Sequence, residues 1–138
     1  MTDKERRELL SRANKARAKA YSPYSGVTVG AALLTVDGKI YEGANIENAA
    51  YSPSLCAERV AFSRAIFEGE RSFSAIAVAG GRRAHAAEKD FSPCGVCRQM
   101  MAEFSGGELE IILTGEDGGI SVHKLSELLP LGFGKEFL

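Results

Sequence analysis

Cys56, Cys94 and Cys97 are the only cysteines in a chain of 138 residues, and two of them fall in the stretch SPCGVCRQ, Ser92 to Gln99. A C-x-x-C pair fits a metal clip or a redox dithiol. A structural zinc site usually takes four protein ligands, however, and a disulfide framework takes an even number of cysteines. Three thiolates would leave one corner of a tetrahedral ion open, which is the pattern of a catalytic zinc. A water in that corner would be acidified and could act as a nucleophile near neutral pH.

Both cysteine segments have the same expected layout: a strand, a turn, then a helix whose first turn holds sulfur. A helix N-terminus carries partial positive charge and unpaired N–H groups, which favour a thiolate over a thiol. At about 100° per residue, Cys94 and Cys97 fall on one helical face. Two such helix starts set side by side would direct three sulfurs at one point, and zinc suits that donor set. Three thiolates on Zn²⁺ leave a net negative site that would hold the proton of a water too tightly unless something offsets it. Arg59, three residues after Cys56, is expected to do so by donating to the thiolates. Glu58 lies two residues from Cys56, about 200° around a regular helix, so spacing alone does not aim it at the same point. A long side chain in a first turn can still curl in, and its expected work is to move a proton between water and substrate. Taken alone, C-x-x-C also allows a redox or structural role.

The elements that must position these residues follow from local patterns. Residues 3–20 carry strong helix formers with Leu9, Leu10, Ala13, Ala16 and Ala20 on one stripe, and Pro23 ends the run. VTVGAALLTV reads as a largely buried strand, Asp37-Gly38 as a tight turn and KIYEGANIE as the return strand. A helix is expected from near Ser54 to Gly69, then a strand over FSAIAVAGG, and a polar, irregular stretch from Gly80 to Phe91. SPCGVCRQMMAEF restarts a helix with Ser92 as cap and Pro93 at its first position. ELEIILTG and ISVHK add two strands, and KLSELLP a short last helix. The order predicts a single α/β domain over 1–138: three layers, α/β/α, around a mixed five-stranded sheet.

Composition narrows the function. Seventeen basic and eighteen acidic residues give a formal net charge of −1, without the basic surplus of a nucleic-acid binder. No apolar run is long enough to cross a bilayer, and the start MTDKERRELL is too charged for a secretory leader, so the expected compartment is the cytoplasm, with reduced thiols.

CAER opening one helix and PCGVC opening another, together with AYSPYS, GANIENAAYS, SPCGVCRQ and the ELLP–GF stretch near the C-terminus, make the chain resemble the cytidine deaminase family in its small homotetrameric branch. The resemblance runs over nearly the whole chain. It implies one Zn²⁺ per subunit on Cys56, Cys94 and Cys97, and Glu58 as the proton shuttle to the pyrimidine N3. It implies that the Ala57 N–H holds the 2-carbonyl of the base, that Asn45 and Glu47 hold the ribose 3′-hydroxyl, and that Arg59 and Gln99 stand behind the ligands. Tyr51 and Phe133 would reach substrate from neighbouring subunits, giving a homotetramer with shared active sites. The implied reaction is hydrolysis of free cytidine and 2′-deoxycytidine to uridine and 2′-deoxyuridine with release of ammonia, a step in pyrimidine salvage. No nucleic acid or membrane partner is expected.

At Val27 the family commonly carries an aromatic that packs against the pyrimidine, so valine keeps an apolar wall but gives up ring stacking, about 0.5–1.5 kcal/mol. The nearest alternative is a deaminase of a modified cytosine nucleoside of the blasticidin S type. Outside the class stands a non-catalytic zinc or thiol protein. His85 and His123 match no ligand position and are read as structural or exposed.

Overall fold

The computed structural model describes all residues from 1 to 138. Its elements run α1 (Asp3–Ala16), β1 (Val27–Thr35), β2 (Ile40–Ala44), α2 (Ala57–Phe67), β3 (Phe73–Arg82), α3 (Gly95–Phe104), β4 (Glu110–Thr114), β5 (Ile120–Lys124) and α4 (Leu125–Leu128). The five strands form one sheet in the order β2-β1-β3-β4-β5, with β3 and β4 parallel and every other neighbouring pair antiparallel. This is the expected mixed sheet.

Strand alternation creates two cores. On one face of the sheet Ala31, Leu33, Ile76, Val78, Ile111 and Leu113 pack with Phe62 of α2 and Met101 of α3. On the other, Ala32, Ala75, Ala77, Ala79 and Ile112 meet Leu9 and Ala13 of α1. Successive side chains of a strand point to opposite faces, so a centre strand covered on both sides must be apolar throughout. In the middle of β3, Ile76 and Val78 alternate with Ala75, Ala77 and Ala79, and the small alanines let α1 lie close to the sheet. The result is three layers, α1 against the sheet and α2 with α3 on its far side.

The position of α2 depends on one missing side chain. A Cβ at Gly43 would lie 2.4 Å from the carbonyl oxygen of Ala57 and 2.6 Å from the Ala61 nitrogen, both backbone atoms that cannot swing away. Glycine therefore lets β2 touch the first turn of α2. Gly43→Ala should lower stability by about 2 kcal/mol or more, read as a reduced urea midpoint at unchanged slope.

An ion pair ties α1 to β4. Arg6 Nε donates to Glu110 Oε1 at 2.7 Å and its terminal nitrogen to Oε2 at 3.0 Å. The guanidinium holds the Glu110 carboxyl below its ordinary range, against a smaller opposing effect of burial. A carboxyl with a depressed folded pKa adds stability above its unfolded pKa and loses it as pH falls through the folded one. Arg6→Ala should thus melt below wild type at pH 7, and the two curves should converge in acid.

Both site helices begin later than their sequences suggest. α2 starts at Ala57, not near Ser54, because Leu55 pairs with Ile46 through reciprocal backbone bonds of 2.9 and 2.8 Å. α3 starts at Gly95, with Cys94 as its cap at φ −70°, ψ 169°, so Ser92 and Pro93 lie outside it. Proline disfavours helical geometry in the residue before it, and here the extended path continues to Cys94. The first helix ends in α form at Ala16 and finishes as a single tighter turn over Arg17–Lys19.

Candidate active site

Cys56 and Cys94 occupy the same place on two different helices. Each is the N-cap, with extended backbone and no side-chain capping bond to the free N–H groups of its helix. Residues that usually cap helices use an oxygen to accept from the first free N–H groups. Here a sulfur stands at that point on both helices. Cys97, on the first turn of α3, is fully buried beneath them.

The two caps bring the sulfurs together. Cys56 Sγ lies 3.7 Å from Cys94 Sγ, which lies 3.6 Å from Cys97 Sγ, and all three are within 4.8 Å of one another. These separations are far beyond a disulfide bond of about 2.05 Å. They agree with sulfurs on a tetrahedral zinc, where Zn–S bonds of about 2.3 Å put neighbouring sulfurs about 3.8 Å apart. The chemistry of the set also calls for a cation, because three thiolates this close repel one another. The thiol of Cys97 and the guanidinium of Arg59 hold the Cys56 thiol down to about 5, while the contact with Cys56 and burial push the Cys97 thiol up. A divalent ion would hold all three sulfurs as anions. The donor set fits zinc.

Arg59 lies where expected. A terminal nitrogen of its guanidinium is 3.8 Å from Cys56 Sγ and donates to the Ser54 carbonyl at 3.0 Å, and its Nε is buried without a partner. Glu58 points to the same place as Cys56, contrary to the helical-wheel reading. Cys56 is a cap with ψ 153°, outside the helix, so the wheel angle does not apply to the pair. Glu58 is 4% exposed. Burial, aided by the neighbouring Cys56 charge, pushes its carboxyl up to about 7.

These side chains line a cavity of about 490 Å³ with Val29, Asn45, Glu47, Tyr51, Ser52, Ser54, Leu55, Ala57, Phe91 and Ser92. That volume suits a small organic ligand, for which pockets of roughly 300–1,000 Å³ are usual. Ala57 is the first residue of α2, so its N–H has no acceptor within the helix.

Asn45 and Glu47 lie just beyond β2, each held before any ligand arrives. Asn45 Nδ2 donates to the Val27 carbonyl at 2.9 Å while its Oδ1 accepts from the Val29 N–H at 2.8 Å, leaving one amide hydrogen and one lone pair free. The Glu47 carboxylate accepts from the N–H groups of Tyr24 and Ser25 and from the Ser25 hydroxyl. That hydroxyl, ahead of the backbone donors, keeps Glu47 ionised below its ordinary range.

Four residues singled out from the sequence are not on the cavity lining. Cys97 is beneath it. Val27 lies two residues up the strand from Val29, which takes the lining position. Gln99 donates through Nε2 to the Phe133 carbonyl at 2.8 Å, tying α3 to the C-terminal segment. Phe133 is 57% exposed and stacks on Phe137 with centroids 5.4 Å apart. Tyr51 reaches the rim, 76% exposed at a positive φ of 61°. His123 pairs with Ser121 on β5, and His85 is exposed in the loop after β3. Val29 and Phe91 went unnoticed in the sequence. An aromatic directly before SPC, closing an otherwise polar stretch, was the available signal for Phe91.

A sulfur trio at two helix caps beside a buried carboxyl defines a zinc enzyme of the α/β class. Residues 3–112 match the family described as the cytidine and deoxycytidylate deaminase zinc-binding region, and the chain belongs to that family. It is similar to the cytidine deaminase of Sporosarcina psychrophila, 49% identical over 131 residues that cover 95% of this chain and 93% of that one. It is also similar to the cytidine deaminase of Halalkalibacterium halodurans, 44% identical over 132 residues, 96% of each chain. Among solved structures, the crystal structure of cytidine deaminase from Burkholderia pseudomallei superposes with a TM-score of 0.84 at 44% identity, over 96% of this chain and all of that one. That from Mycobacterium tuberculosis gives 0.79 at 35% identity, over 97% and 99%.

Proposed function

We propose that the protein is a zinc-dependent cytidine deaminase that hydrolyses free cytidine and 2′-deoxycytidine to uridine and 2′-deoxyuridine, releasing ammonia. The observation that carries this reading is that the buried Glu58 carboxyl shares one cavity with Cys56, Cys94, Asn45 and Glu47. Cys56, Cys94 and Cys97 would hold the zinc. When bound, the ion supplies the Lewis acidity that makes water nucleophilic near neutral pH.

The chain's own groups do the rest. Glu58 takes a proton from the attacking water and gives it to N3 of the base as C4 becomes tetrahedral. It then carries the water's second proton to the amino group, which leaves as ammonia while the C4 carbonyl of uridine forms. A carboxyl poised near neutrality can perform both transfers. The free N–H of Ala57 donates to the 2-carbonyl and orients the ring. Asn45 and Glu47 offer a donor and an acceptor to the ribose 3′-hydroxyl, fixed in advance by their bonds to β1 and to the turn at Ser25. Arg59 offsets the thiolate charge.

The working form in this reading is a homotetramer in the cytoplasm. Leu131, Phe133, Phe137 and Leu138 are all more than half exposed in the single chain, an apolar cluster next to Gln99 that a neighbouring copy would cover. Phe133 and Tyr51 would then reach a neighbour's cavity. No helix is long and apolar enough to cross a membrane.

The test is loss of cytidine ultraviolet absorbance by the zinc-loaded protein, across cytidine, 2′-deoxycytidine and modified cytosine nucleosides. Turnover of the first two supports the reading. Turnover of modified nucleosides alone, or of none, overturns it.

A further inference from the structure

The cavity has apolar as well as polar lining residues, and part of the apolar lining is built by an arrangement in which one residue supplies what another lacks. Val29 of β1 stands directly opposite Gly80 of β3 in the antiparallel register, so both positions face the same side of the sheet. Gly80 has no side chain to place there. A Cβ at Gly80 would lie 2.5 Å from two ring carbons of Phe91, so the Phe91 ring lies against the bare backbone of β3 and occupies the space next to Val29.

The loop that delivers Phe91 is pinned. Glu88 N–H donates to the Gly80 carbonyl at 2.8 Å, and Asp90 N–H to the Thr114 carbonyl at 2.9 Å. Asp90 adopts a left-handed φ of 52°, a conformation aspartate tolerates better than most residues. The chain therefore turns just before Phe91 and holds it over β3.

Val29 is bonded through its N–H to Asn45, one of the two residues proposed to hold the ribose. Phe91 stands three residues before Cys94 in the chain. Of the lining residues only Phe91 and Tyr51 are aromatic, and Tyr51 is on the open rim. A nucleoside held between Asn45 and the sulfurs would meet Phe91 and Val29 in the apolar part of the lining.

We propose that Phe91, seated on Gly80, is the residue that contacts the face of the pyrimidine and sets its plane, and so selects planar bases for the cavity. The inference rests on the deaminase reading and adds to it a substrate contact from the loop after β3. An aromatic pair contributes roughly 0.5–1.5 kcal/mol beyond its buried area, about a two- to twelvefold change in affinity.

The experiment measures uridine binding by calorimetry on zinc-loaded wild type, Phe91→Ala, Phe91→Leu and Phe91→Tyr, with cytidine KM and kcat and bound zinc for each. Phe91→Leu keeps the packing on Gly80, so it carries the test if Phe91→Ala fails to fold. The expected result is three- to tenfold weaker uridine binding for Phe91→Leu, a matching rise in KM, a smaller change in kcat and unchanged zinc, with Phe91→Tyr close to wild type. Uridine affinity within twofold of wild type in Phe91→Leu would overturn the proposal. Wild type that turns over no cytidine would instead sink the deaminase reading, so the two failures are told apart by the unmutated protein.

Discussion

Glu58→Gln is expected to reduce kcat for cytidine by about 10²–10⁴-fold while the protein keeps its zinc and its fold. The substitution preserves the size and burial of the side chain and removes only its capacity to take up and release a proton. Burial is what makes the carboxyl useful, since it lifts the group to about 7, where it can act as base and then as acid. The amide needs no charge in its 4%-exposed site, so stability should hold or rise slightly. The decisive measurement is kcat beside zinc content from atomic absorption. Activity within tenfold of wild type, with zinc in place, would remove Glu58 from the proton path. Loss of zinc together with activity would show that the carboxyl supports the metal instead.

Removal of the metal should cost structure as well as activity. The sulfurs of Cys56 and Cys94 stand at the starts of two separate helices without accepting from the free backbone N–H groups there, so a shared cation would join the starts of α2 and α3. A ligand at a thousand times its dissociation constant stabilises a fold by about 4 kcal/mol, and a chain of this size shifts by roughly 3–4 °C per kcal/mol. Dialysis against a strong chelator should lower the melting temperature by roughly 12–16 °C and abolish turnover, and added Zn²⁺ should restore both. Cys94→Ala should behave as the stripped protein and fail to respond to added zinc. A Cys94→Ala protein that binds one zinc per chain and turns over cytidine would contradict the three-sulfur site.

The sequence made the sulfur trio legible because metal chemistry constrains residue type and spacing tightly. The sheet was legible because alternation and burial leave strong traces: FSAIAVAGG could hardly be anything but a strand covered on both sides, and β3 occupies Phe73–Arg82. The helix starts were harder. Caps belong to neither the helix nor the turn, so periodicity placed Cys56 and Cys94 inside helices that begin one residue later. The same error displaced Glu58 by a wheel angle that did not apply. Phe91 was hidden for a different reason. Its importance depends on the absence of a side chain at Gly80, and a vacancy in one strand filled from a distant loop leaves no local pattern in either segment.

Strand β1 is paired along its whole length with β3, from Val27 against Arg82 to Thr35 against Phe73, with the hairpin to β2 and all of α2 lying between. That long closure must happen before β1 has its second neighbour, and non-local pairing of this sort is slow compared with hairpin or helix formation. Cys56 sits within the enclosed segment and Cys94 and Cys97 beyond it, so the sulfurs converge only once the strands have met. A metal that is gripped only after that convergence should slow unfolding far more than it speeds the return.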